Sequence, residues 1–93
     1  MIPKSVKEKV YKRDGGRCVG CGRWAQPDWA CAHYIPRSHG GLGIEKNILT
    51  LCPECHQAFD NGAKRRELKE MYGEYLKRFY GDLEGLQYRK GEG

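Results

Sequence analysis

Apolar positions are sparse along this 93-residue chain, and their spacing changes from one stretch to the next. In "SVKEKVYKR", Val6 and Val10 share one helical face, and Ser5 followed three residues later by Glu8 forms the capping-box pattern of a helix start. Asp14-Gly15-Gly16 ends that helix. Over residues 29–35 the period becomes two, with Trp29, Cys31, His33 and Ile35 on one face, which predicts a strand. Pro36 stops it. Residues 36–43 carry Gly40, Gly41 and Gly43 and read as a loop that is either mobile or closely approached by a ligand. "NILTLC" at residues 47–52 is rich in β-branched and apolar side chains and predicts a second short strand, forming a hairpin with the first across the glycine loop.

A short helix follows, with Pro53 suited to its first turn and Asn61-Gly62 to its end. Leu68, Met71, Tyr72, Tyr75, Leu76, Phe79 and Tyr80 then recur at three- and four-residue spacing, which predicts an amphipathic helix over about residues 63–80. Gly73 weakens it by about 1 kcal/mol, and Gly81 ends it. In residues 82–93, Leu83, Leu86 and Tyr88 are placed to pack back on the body, while the last few residues are expected to fray. The class is α+β, a hairpin and a short helix flanked by N- and C-terminal helices.

The length predicts one small domain, residues 1–93. A domain of this size removes only about 60–65% of its unfolded surface from water and usually needs a metal or disulfides as a staple. Five cysteines are available, an odd number. "MIPKSVKEKV" lacks an apolar signal core, and no run approaches the ~18 apolar residues of a membrane span, which favours a reducing cytoplasm, no membrane, and metal binding over disulfides. The formal charge of +5 points to an anionic partner. Zinc held by four thiolates would lower that charge by two, and a second divalent ion would restore it.

Cys18-Val19-Gly20-Cys21 and Cys52-Pro53-Glu54-Cys55 are two knuckles, each bringing two thiolates to one ion through a tight turn. Four such sulfurs suit a structural zinc at about 2.3 Å, a closed site that contributes folding free energy directly. The separation of the knuckles exceeds the ~15–20 residues of common zinc ribbons, so the His33 hairpin is an insertion between them. Cys31 is left over and reads as a small buried hydrophobe rather than a ligand. On this layout His33, Asn47 and His56 converge on the cleft between hairpin and helix.

In that order, His–Asn–His, the chain resembles the HNH nuclease family, through "RDGGRCVGCG" (13–22), "AHYIPRSHGG" (32–41), "NILTLC" (47–52) and "CPECH" (52–56). The resemblance covers about residues 5–62 and implies the ββα-metal (His-Me finger) fold, in which a hairpin and a helix clasp one divalent ion. It implies His33 as general base and His56 with Asp60, one turn apart on the short helix, as ligands of a catalytic Mg²⁺ or Mn²⁺. Asn47 matches the middle residue, which either steadies the base loop or touches the metal. The residue before the base, often Asp or His in the family, is Ala32 here, so water, substrate oxygens or His33 itself must complete the shell.

Other readings stand beside these. Asp60 also suits a cap of the next helix, Arg37 is either a solvated charge or a phosphate contact, and His39 is an exposed loop residue or a second such contact. The aromatic side of the last helix reads as core, leaving Lys64, Arg65, Arg66 and Lys69 for the DNA backbone. The resulting expectation is a metal-dependent DNA endonuclease of low intrinsic sequence specificity. The alternative is a non-catalytic zinc module that binds nucleic acid. Phage-packaging or restriction partners are both compatible with a family member of this size, and the oligomeric state is open.

Overall fold

The computed structural model describes residues 2–86. Among these, helix α1 spans Lys4–Arg13, strand β1 Ala30–His33, strand β2 Ile48–Thr50, helix α2 Pro53–Asn61 and helix α3 Arg65–Tyr80. The two strands pair antiparallel, with Ala30 opposite Thr50, Ala32 opposite Leu49 and His33 opposite Ile48; an irregularity between Ala30 and Ala32 absorbs one residue. The resulting α+β arrangement, hairpin followed by α2, is the ββα-metal frame.

Both strands are shorter than the sequence pattern predicts. Trp29 falls in a single 3₁₀ turn at Pro27–Trp29, and Asn47 ends another at Glu45–Asn47, just ahead of β2. The alternation nevertheless persists through residues 29–35, with Ala30, Ala32 and Tyr34 buried and Trp29, Cys31, His33 and Ile35 half-buried on the other side. Helix α1 corrects the sequence reading in a second way. Its N-cap is Pro3, with no side-chain cap, and the Pro3 carbonyl accepts from the Val6 and Lys7 amides at 3.0 and 3.1 Å. Ser5 thus lies inside the first turn and forms no capping box. Pro3 enters the helix with its φ already fixed at −59°, so it starts the first turn without a further loss of backbone freedom.

Helix α2 runs between the predicted bounds, from Pro53 to the cap at Gly62. Helix α3 begins two residues later than predicted and ends, as expected, at Gly81 in the left-handed conformation, φ +82°. Asp60 does not cap it, since Lys64 holds that position. Tyr72 and Leu76 are fully buried, but Met71 and Phe79 are about half exposed, so only part of the aromatic stripe is core. Gly73, read as a weak point, is instead a close approach: a Cβ there would lie 2.7 Å from the Tyr34 hydroxyl.

The main core gathers Ala32, Tyr34, Leu49, Leu51, Phe59, Tyr72, Leu76 and Leu86 between the sheet and the last two helices. A smaller cluster of Val10, Ala30 and Ile48 seats α1 on the opposite face. Leu83 packs on the main core and Leu86 is buried in it, while Tyr88, expected to do the same, lies outside the described residues.

Candidate active site and metal centre

The two cysteine knuckles meet. The sulfurs of Cys18, Cys21, Cys52 and Cys55 all lie within 4.8 Å of one another, positioned to bind one metal ion. Local backbone geometry brings them there. In the first knuckle the Gly22 amide donates to the Cys18 carbonyl at 2.9 Å, and Gly22 takes φ +82°, which favours glycine. The Val19 amide donates to the Thr50 carbonyl at 2.9 Å, fastening this knuckle to β2. Cys52 is both knuckle and helix cap, its Sγ accepting from the Cys55 amide at 3.5 Å, and the Cys52 amide donates to Cys18 Sγ at 3.3 Å.

The electrostatics call for a cation. A hydrogen bond from the Arg23 backbone amide brings the exposed Cys21 thiol down to about 7, whereas burial pushes Cys52 and Cys55 up. Four sulfurs this close cannot all ionise unaided, because each thiolate repels the others. A bound dication removes that penalty, and an all-sulfur tetrahedral set suits zinc. Arg23 and Glu54, one near each knuckle, pair across the site at 3.0 Å, a solvent-exposed contact that water screens.

His33 ends β1 and is half-buried. Burial, then the nearby Arg37 guanidinium, then His56, lower its pKa below the ordinary 6.5. The second histidine sits on the first turns of α2, where His56 Nε2 lies 3.3 Å from Asp60 Oδ2. These two residues share a helix face, as their spacing predicts. Among the described residues, the cysteines are the one group of three or more His, Cys, Asp or Glu side chains whose ligand atoms lie within 4.8 Å of one another.

Asn47 does not open onto the cleft. It is fully buried, and its side-chain oxygen accepts from the Ile35 amide at 2.8 Å while its NH₂ donates to the Ile35 carbonyl at 3.2 Å and the Leu42 carbonyl at 2.9 Å. Ile35 precedes the glycine loop and Leu42 lies near its end, so one amide clasps both sides of residues 36–41. Within the clasp a 3₁₀ turn, Arg37–His39, presents both exposed side chains and closes on Gly40 at φ +80°. Gly41 is required by contact: a Cβ there would lie 1.7 Å from the Ile35 carbonyl oxygen. Lys64 and Arg66 are exposed at the start of α3, and Arg65 and Lys69 are half-buried. Cys31 is half-buried rather than buried, with its thiol pushed up by desolvation.

Sequence reasoning missed the network behind this site. Asp14, read only as part of a helix stop, is a buried carboxylate. It accepts from Arg13 Nε and Nη2 at 2.8 and 3.0 Å, from the Thr50 amide at 2.9 Å and from the Tyr75 hydroxyl at 2.7 Å. Arg13 in turn donates to the carbonyls of Glu45 and Ile48 at 2.8 and 2.7 Å, on either side of Asn47. The only local signal was a charged pair at a helix end, which is indistinguishable from a solvated one.

Residues 18–62 match the family model described as HNH endonuclease. The chain is 33% identical over 73 residues to the type IV methyl-directed restriction enzyme EcoKMcrA of Escherichia coli, covering 71% of this chain and 26% of that protein. It is 32% identical over 60 residues to anaredoxin of Nostoc sp., covering 63% of this chain and 76% of anaredoxin. It therefore spans about a quarter of the restriction enzyme and about three-quarters of anaredoxin. Residues 18–62, which hold both cysteine knuckles, the Asn47 clasp and the His33, His56 and Asp60 side chains, form an HNH endonuclease family domain.

Proposed function

We propose that this protein is a divalent-metal-dependent DNA endonuclease that hydrolyses phosphodiester bonds to 5′-phosphate and 3′-hydroxyl ends with low intrinsic sequence specificity. The observation that carries the proposal is His56, 3.3 Å from Asp60 on α2 and itself near enough to His33 on β1 to disfavour its protonation. His33 is the general base. Its lowered pKa keeps the imidazole neutral, with a lone pair free to take a proton from water at neutral pH. His56 and Asp60 would hold Mg²⁺ or Mn²⁺, which would supply stabilisation of charge developing on the phosphate and the leaving oxygen. Ala32 offers no ligand, so the remaining positions go to water, substrate oxygens or His33. Asn47 fixes the loop from which Arg37 and His39 reach phosphates, and Lys64 and Arg65 add backbone contacts. Zinc on Cys18, Cys21, Cys52 and Cys55 staples the frame and does no chemistry. Cysteines that hold zinc rather than pair in disulfides fit a reducing compartment, the cytoplasm of a bacterial or phage-infected cell.

No helix among the described residues is long and apolar enough to cross a membrane. Purified protein incubated with supercoiled plasmid and Mg²⁺ or Mn²⁺ is expected to produce nicked or linear DNA, and enough chelator to remove the divalent ion is expected to stop it. Tight plasmid binding without cleavage in any divalent metal would instead support the non-catalytic zinc module.

A further inference from the structure

We propose that Tyr72 is a positioning residue of the cysteine metal centre, its hydroxyl donating a hydrogen bond to the Cys55 thiolate, so that α3 becomes part of that site. This rests on the reading of the four cysteines as a zinc site. Tyr72 is fully buried, yet its hydroxyl has no hydrogen-bond partner among the described residues. Such a group costs free energy unless something answers it. A Cβ at Gly20, between the two cysteines of the first knuckle, would lie 2.7 Å from the Tyr72 hydroxyl and 2.9 Å from Cys55 Sγ. Hydroxyl and sulfur therefore converge on one point that a glycine leaves open. The Phe59 ring, edge-on at 5.0 Å, holds the Tyr72 ring in place. A neutral thiol is a weak acceptor, whereas a metal-bound thiolate is a good one, so the hydroxyl finds its partner when the ion binds. Tyr72 also lies outside residues 18–62, and the contact couples the C-terminal helix to the frame that the family match covers.

The test uses the full chain loaded with Co²⁺ in place of zinc, whose thiolate-to-metal absorption reports the electron density on each sulfur. Tyr72→Phe keeps the ring packing and removes only the donor. It is expected to shift that absorption to lower energy and to speed metal loss to a chelator by about 10-fold or more, the usual scale for an outer-shell partner. Tyr75→Phe, which removes a hydroxyl bound to Asp14 on the same helix, is expected to leave the spectrum unchanged. Placing 3-fluorotyrosine at position 72, a stronger donor of nearly the same shape, is expected to shift the absorption the opposite way. Unchanged absorption in Tyr72→Phe and in the fluorinated protein would overturn the proposal while leaving the zinc reading intact. A parent protein that shows no thiolate–cobalt absorption would overturn both.

Discussion

Asn47 and His33 differ in how much of their role the sequence exposes. The alternation of residues 29–35 places His33 on the open side of β1, where it is half-buried beside Arg37 and His56. The His–Asn–His order picks out Asn47 but not which way it turns, because all three of its side-chain hydrogen bonds go to backbone groups of Ile35 and Leu42, which carry no residue-type signature. The lowered His33 pKa gives a prediction whose sign follows directly. A base with a depressed pKa stays unprotonated to lower pH, so the acid limb of the cleavage rate against pH is expected to fall below 6.5. Arg37→Ala removes one of the groups that disfavour the imidazolium and is expected to move that limb upward. The limb is read from single-turnover rates at saturating protein, and one that stays fixed on substitution would detach Arg37 from the base.

At the scale of elements, helix ends marked by proline or glycine were legible, as α2 between Pro53 and Gly62 and the Gly81 stop of α3 show. Pro53 and the left-handed Gly81 act through local φ, and Gly62, at φ −79°, through the room it leaves beside the Ala58 carbonyl. The Ser5–Glu8 capping box was not formed, since a side-chain cap is worth only about 1 kcal/mol and an equally good backbone start lay two residues earlier at Pro3. How the elements attach was not legible at all. The Asp14 carboxylate joins the end of α1 to β2 and α3 through the Thr50 amide and the Tyr75 hydroxyl, residues far apart in sequence. Asp14→Ala leaves the Arg13 guanidinium buried without its counter-charge. Urea unfolding of the metal-loaded protein is therefore expected to show a loss of about 3–5 kcal/mol. A change under 1 kcal/mol would mean that the network contributes little to how the elements are held.

At the scale of the molecule, the two short strands and three α-helices among the described residues enclose only a modest core, which leaves a small chain in need of a staple, and the four converged sulfurs supply the place for it. Charge, cysteine spacing and the His–Asn–His order carried the family and the frame, because knuckle spacing and the order of functional groups survive in the linear sequence. Burial and the convergence of Tyr72 on the cysteines arise only once α3 has docked. Around that frame, in the proposed function, His33 activates water while an ion on His56 and Asp60 would stabilise the phosphate. The most direct measurement compares single-turnover cleavage of supercoiled plasmid by the parent and by His33→Ala, both zinc-loaded and both saturated with DNA and Mn²⁺. The expected rate for His33→Ala is about 10²–10⁴-fold lower with DNA binding nearly unchanged, and a variant that cuts at the parent rate would contradict His33 as the base.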